Sequence, residues 1–205
     1  MDSYHFAEVA APSGAPLLLL FHGTGGGEND LLDLGRQLLP GAHLVAPRGD
    51  VSEGGDVSEG GALRFFKRAG EGVYDMADFG RATAKMIAFS QERTAGVRPA
   101  SVAALGYSNG ANILAATLFA APGLIGKAIL MHPLIPFDPE PQPGLAGKPV
   151  LITAGRRDPI VPAARTEALA SYFSAQGADA HIVWHDGGHE IRQSELAAAR
   201  DFLSQ

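Results

Sequence analysis

Residues 101–119, SVAALGYSNGANILAATLF, constrain this chain more than any other stretch. They open with an apolar run, Val102-Ala103-Ala104-Leu105, of the length of a buried strand. They close with Ala111, Ile113, Leu114, Ala115 and Leu118, an apolar set at helical spacing. Between the two stands Gly106-Tyr107-Ser108-Asn109-Gly110, which reads G-x-S-x-G. A strand that turns at once into a helix strains its backbone, and a side chain two residues to either side of the serine would collide with neighbouring chain. Such a turn lifts the Ser108 hydroxyl clear of the sheet, within reach of a base. Ser108 is the candidate nucleophile.

The rest of the chain repeats the strand-then-helix alternation. Residues 4–9 alternate enough for a short strand, and residues 16–21 (PLLLLF) form a continuous apolar run of buried-strand type. A glycine-rich loop, His22-Gly23-Thr24-Gly25-Gly26-Gly27, leads into a helical pattern at Leu31, Leu32, Leu34, Leu38 and Leu39. Further strands are expected at 43–47, 127–131, 149–154 and 180–184, and helices at 74–94, 163–176 and 191–203. The proline-rich residues 132–149 read as a stiff surface loop, since prolines at that density exclude helix and central strand. Residues 48–72 show no clear period and contain DVSEGG twice in tandem, at 50–55 and 56–61. One copy is expected to be a dispensable loop extension. Strands alternating with helices predict a mostly parallel central sheet covered on both faces.

A serine nucleophile needs a base, and the base needs a carboxylate to fix its tautomer. On such a scaffold each partner belongs on a loop that follows a strand, in the chain order Ser, Asp, His. Asp158 fits, four residues beyond the 149–154 strand in a turn closed by Pro159; Asp138, in the proline-rich loop, is its rival. His189, in DGGH after the last strand, is the expected base. His181 and His185 fall on or at the end of that strand, where a surface or edge histidine is the ordinary outcome, and His22 reads as structural. The glycine loop lacks the lysine of a P-loop and suits another task, presenting a backbone N–H to an oxyanion. The backbone amides of Thr24 and of Asn109, directly after the nucleophile, are the candidate donors. Phe65 and Phe66, two aromatics in a polar loop, are expected to cover something apolar beside the site and to touch substrate.

Bulk properties exclude several classes. A chain of 205 residues with 46% hydrophobic content suits one domain spanning 1–205. Its net charge of −6 argues against nucleic acid or an anionic membrane surface as partner. There is no cysteine, hence no thiolate metal site, and no H-E-x-x-H cluster, so neither metal nor cofactor is expected. The N-terminus lacks the pattern of a signal peptide and no apolar run approaches membrane-spanning length. The expectation is a cytoplasmic protein without stable membrane insertion, with a homodimer left open.

Taken together, LLLLFHGTGGGENDLLDL, PRG, RFFKR, GYSNGAN, GRRDPIVP and GGHEI resemble the phospholipase/carboxylesterase branch of the α/β-hydrolases. The nearest pattern is that of small bacterial carboxylesterases, including those of hydroquinone pathways, and the resemblance covers essentially the whole chain. It implies the α/β-hydrolase fold without a large lid domain and a serine carboxylesterase acting on small, short-acyl esters through an acyl-enzyme. Acyl-protein thioesterases are a sister group resembling HGLGD and GFSQGG, where this chain has HGTGGG and GYSNGA. That departure weighs against a thioesterase or lysophospholipase-like activity, which stays the alternative beside a non-catalytic binding protein on the same scaffold.

Overall fold

The computed structural model describes residues 3–56 and 61–205. Its main sheet has seven strands: β1 (Phe6–Val9), β2 (Leu17–Phe21), β3 (His43–Pro47), β8 (Val102–Tyr107), β9 (Lys127–Met131), β10 (Pro149–Gly155) and β11 (Asp179–His185). They lie in the order β1-β3-β2-β8-β9-β10-β11; only β1 runs antiparallel to its neighbour. The side chains of β2 show why the sheet needs cover on both faces. Leu17, Leu19 and Phe21 join one core cluster, Leu18 and Leu20 the other, and all five are buried. Helices α2 (Met76–Val97), α3 (Asn109–Ala120) and α4 (Ala163–Ala175) cover the first face through Phe79, Met86, Ile113, Leu114 and Phe173. Helices α1 (Leu32–Leu38) and α5 (Gln193–Ser204) cover the second through Leu32, Leu38, Phe202 and Leu203. This is the α/β-hydrolase arrangement expected from the alternating pattern. Among the described residues, no helix is long and apolar enough to cross a membrane.

Two segments depart from expectation. The start of the proline-rich stretch is not surface: His132, Leu134 and Ile135 are buried, as is Leu145 further on. Prolines bar helix and ladder pairing but not burial, provided the remaining backbone polar groups find partners. Here Asn112 Oδ1 accepts the Leu134 amide at 2.7 Å, and the Tyr74 hydroxyl donates to the Leu134 carbonyl. Residues 48–72, which show no period, hold two small antiparallel pairs: β4 (Val51–Glu53) with β5 (Ala62–Arg64), and β6 (Arg68–Gly70) with β7 (Val73–Tyr74). Strands of two or three residues are too short to write a period into the sequence.

The β4–β5 pair gives the tandem hexapeptide a structural frame, although residues 57–60 of the second copy lie outside the described residues. Val51 of the first copy faces Arg64, and Glu53 faces Ala62. Gly54 and Gly55 carry φ of 84° and 120°, the left-handed side that two-residue hairpin loops demand. Deleting 56–61 would join Gly55 to Ala62 and leave Gly54-Gly55 as such a loop, with the register intact. Shrinking the 54–61 loop to two residues is two halvings of length, about 1.2 kcal/mol less closure entropy. The deletion variant is expected to melt at the same temperature or up to about 4 °C higher. A fall of more than about 5 °C in a thermal melt would show that the second copy is built into the fold.

Candidate active site

The residues singled out around Ser108 gather on one rim of the sheet, at the carboxyl ends of its parallel strands. Ser108 follows β8, Thr24 follows β2, Asp158 follows β10 and His189 follows β11. The strand order branches at β2 and β8, with β3 and β1 to one side and β9, β10 and β11 to the other. Connections that leave in opposite directions open a crevice between them, the usual ligand position in an open α/β sheet.

At the turn, Ser108 has φ 52° and ψ −116°, a conformation that is costly for a residue with a side chain. The flanking glycines make the turn feasible. A Cβ on Gly106 would lie 2.4 Å from the Gly110 carbonyl oxygen, and one on Gly110 would lie 2.0 Å from that of Phe21. The Ser108 amide donates to the Met131 carbonyl at 2.8 Å, tying the strained residue to β9.

His189 Nε2 lies 2.8 Å from Ser108 Oγ, and His189 Nδ1 donates to Asp158 Oδ2 at 2.6 Å. The Tyr107 hydroxyl donates to the His189 carbonyl at 2.7 Å and so fixes the loop that carries the ring. The other carboxylate oxygen of Asp158 accepts the amides of Ile160 (2.8 Å) and Val161 (3.0 Å), a turn that aims the first oxygen at His189. Burial pushes the Asp158 carboxyl up. The hydrogen bonds from His189, from the Val161 and Ile160 amides and from His132 outweigh it and hold the group below its usual range. Asp138, the rival carboxylate, is exposed and makes none of these contacts.

Thr24 and Asn109 line the same cleft as Ser108 and His189. In the glycine loop, the amides of Gly25, Gly26 and Gly27 are committed to Leu63 O, Gly23 O and Asp30 Oδ2. The Thr24 amide has no acceptor among the described residues. Asn109 is the first residue of α3, whose opening amides have no partner within the helix. His22 is structural as expected: Nδ1 donates to Gly23 O at 2.7 Å, Nε2 accepts the Gly49 amide at 2.9 Å, and burial lowers the proton affinity of the ring.

Two expectations need correction. Phe65 and Phe66 are fully buried and do not line the cleft. Their rings pack edge-on against Tyr4, Phe21, Tyr74 and Phe79, so the pair anchors the loop to the core; Arg64, just before them, reaches the cleft instead. His181 is exposed, but His185 is buried, with Nδ1 accepting the Gly187 amide at 2.9 Å.

The sequence reading missed a buried cluster behind Asp158. His132, completely buried and at φ 52°, brings Nδ1 to 3.1 Å from Asp158 Oδ2 and Nε2 to 2.9 Å from Glu195 Oε1. Glu195 is completely buried too. It also accepts from Thr153 Oγ1 (2.5 Å) and from the Arg192 amide (2.6 Å), which caps the start of α5. Burial opposes a proton on His132, but Glu195 and Asp158 outweigh it and raise its proton affinity. Burial likewise opposes the Glu195 charge, and His132, Thr153 and the Arg192 amide overcome it. The one sequence signal was the position of His132 directly after a strand. His132, His185 and Glu195 could bring ligand atoms to a shared metal ion, as could His132, Asp158 and His189. In both sets the ring nitrogens of His132 already face carboxylate oxygens, and His185 Nδ1 already takes an amide.

Residues 68–194 match the sequence profile of the dienelactone hydrolase family. The chain belongs to the dienelactone hydrolase family. This family member is 43% identical over 191 residues to MhqD of Bacillus subtilis (strain 168), covering 92% of each chain. It superposes on Atu2452 of Agrobacterium tumefaciens str. C58, a protein of unknown function, with a TM-score of 0.90 and 50% identity over 99% of this chain and 97% of that one. A carboxylesterase of Bacillus cereus gives 0.86 and 33% over 97% and 92%. The protein is a hydrolase with the fold of the α/β-hydrolase carboxylesterases, in agreement with the resemblance carried by its motifs.

The buried cluster makes stability depend on pH. His132, with its raised proton affinity, stabilises the fold fully below the ordinary histidine value of 6.5, and the contribution fades as pH rises through its folded value. Asp158 and Glu195, both lowered, contribute above their ordinary values of 3.8 and 4.5 and lose that as pH falls through their folded values. The melting-temperature gap between wild type and His132→Gln is therefore expected to be widest between about pH 4.5 and 6.5 and to narrow on either side. A gap that stays constant from pH 4 to 9 would assign the loss to shape alone.

Proposed function

We propose that the protein is a serine carboxylesterase that hydrolyses small, short-acyl carboxylic esters through Ser108, His189 and Asp158. The observation that carries this reading is the hydrogen-bonded series from Asp158 through His189 to Ser108, at 2.6 and 2.8 Å, ending on a hydroxyl held at a strained turn. Ser108 Oγ attacks the ester carbonyl carbon as His189 Nε2 takes its proton. The negative charge that develops on the carbonyl oxygen is met by the Thr24 and Asn109 amides, with the α3 dipole adding to them. Collapse expels the alcohol, which receives the proton from His189, and leaves an acyl group on Ser108. Water, activated by the same ring, releases the acid. Asp158 holds the imidazole in the tautomer that leaves Nε2 free to accept.

The cleft supports a short acyl group. Its free space at Ser108 is about 20 Å³, room for one or two water molecules. Tyr74, Leu134 and Ile160 close its walls, and Arg64 and Arg68 make it polar. Larger cavities, of about 470 and 450 Å³, lie elsewhere and none of the three proposed catalytic side chains lines them.

A fluorophosphonate probe is expected to label the protein on the peptide that carries Ser108, and Ser108→Ala to lower turnover by about 10³-fold or more. Asp158→Asn is expected to be nearly as damaging, and Asp138→Asn harmless. On p-nitrophenyl esters, kcat/KM is expected to fall steadily from acetate to octanoate. Labelling elsewhere, or turnover that survives Ser108→Ala, would overturn the nucleophile assignment. A preference for long acyl chains or for acyl thioesters would overturn the substrate class.

A further inference from the structure

Asp158 Oδ2 receives two imidazoles, one on the way to Ser108 and one that leads away from it. The second, His132, lies between two buried carboxylates, and each of its ring nitrogens sits within hydrogen-bonding distance of a carboxylate oxygen. A neutral imidazole has one N–H, so it would turn a bare lone pair towards one of these oxygens. An imidazolium satisfies both. From this geometry we infer that His132 is a positioning residue of the hydrolytic site: a permanent imidazolium, charge-balanced by Glu195, that fixes Asp158 and opposes a second positive charge on His189. The inference rests on the assignment of Ser108, His189 and Asp158 proposed above.

The charges around the two rings support a directional effect. The His132 and His189 ring centres are 5.1 Å apart, so two imidazoliums would repel at close range in a dry setting. Facing His132 are Asp158 from the loop after β10, Glu195 from α5, His185 from the end of β11 and the Tyr107 ring from β8. His185 Nδ1 accepts the Gly187 amide, and its Nε2 lies 3.2 Å from Glu195 Oε2. Facing His189 are Asp158, Ser108 and Tyr107, with Arg64, Arg68 and Glu71 across the cleft. Glu53 accepts from both of those arginines, and Arg68 also pairs with Glu71, so the wall of the cleft is close to neutral. His132 lies 5.1 Å from His189 between ring centres, with its counter-charge Glu195 on the far ring nitrogen. A proton on His189 at rest blocks it as a base, so a fixed positive charge beside it keeps the enzyme active at lower pH. The raised proton affinity of His132 agrees with this.

The backbone adds a reason for precision at this position. His132 holds φ 52° directly after β9, with its amide donating to Thr153 O at 2.8 Å. Thr153 in turn donates through Oγ1 to Glu195, so one residue of β10 orients both ends of the His132–Glu195 pair. Strained backbone around a buried ion group is kept where surrounding contacts over-determine it. The contacts here do so.

Two variants and one spectrum test the inference on the intact protein. His132→Gln keeps a donor near Asp158 but removes the cation, and the acidic limb of kcat/KM is expected to move about one unit towards higher pH. At pH 6 that is about a tenfold loss relative to the alkaline plateau, carried by kcat with KM nearly unchanged. Glu195→Gln removes the carboxylate that helps hold the proton on His132; the doubly protonated ring is expected to be lost at pH 8, and with it the limb to shift in the same direction by less. In wild type labelled with ¹⁵N-histidine, one ring is expected to show both nitrogens protonated at pH 8, and that signal should vanish in His132→Gln. A purely structural role would lower kcat and melting temperature and leave the midpoint of the limb in place. An unmoved limb in both variants, or no doubly protonated ring at pH 8, would overturn the inference. Fluorophosphonate labelling of Ser108 in each variant separates the two readings. If labelling is intact and the limb unmoved, only the role of His132 falls; if wild type fails to label, the assignment of the site falls and this inference with it.

Discussion

The buried carboxylate of Asp158 is the point on which the site turns, because a charge in that position must be satisfied from every side. Its four hydrogen bonds come from two backbone amides of its own turn and from two histidines that follow different strands, β9 and β11. A buried carboxylate left with only some of these partners would cost several kcal/mol or take up a proton. The strands β9, β10 and β11 must therefore end in register for the site to exist, and the parallel sheet supplies that register. The geometry around Ser108 depends on the same sheet, since the Ser108 amide is held by the last residue of β9.

In the inferred charge state, the buried group behind Asp158 carries one positive charge between two negative ones, and its side chains are out of water. Replacing such a group with apolar side chains of similar volume is often neutral or favourable for stability. Stability alone is then a weak reason for it. Orientation and charge at His189 are a better reason: the ring proposed as the base is flanked by one anion and, beyond it, the cation inferred for His132. The capping of α5 offsets a small part of the cost of burying the group, because Glu195 serves the helix start and the His132 pair at once.

The wall of the cleft and the first copy of the tandem hexapeptide share one local substructure. The pairs β4–β5 and β6–β7 lie beside the crevice, and Arg64 and Arg68 from those pairs share Glu53 of β4. The first DVSEGG copy supplies that glutamate, so it is bound into the wall of the site. The aromatic residues that look from sequence like a substrate cover, Phe65 and Phe66, are instead the buried foot of this segment.

What the sequence by itself determined is the fold and the line from Ser108 to Asp158. The α/β alternation is written in apolar runs and helical spacing, and parity along β2 requires two covered faces. G-x-S-x-G marks a turn because only glycine fits where a Cβ would meet backbone at 2.0 to 2.4 Å. Asp158 and His189 were legible because each stands on a short loop just past a strong strand pattern. Only the tertiary structure decided the rest. His132 lies in a proline-rich stretch that reads as surface, and Glu195 looks like an ordinary helix-start acid. Their pairing spans 63 residues of chain, and no local pattern records it. Phe65 and Phe66 show the same limit from the other side: composition says that two aromatics need cover, but whether substrate or core provides it depends on which neighbours the fold brings against them.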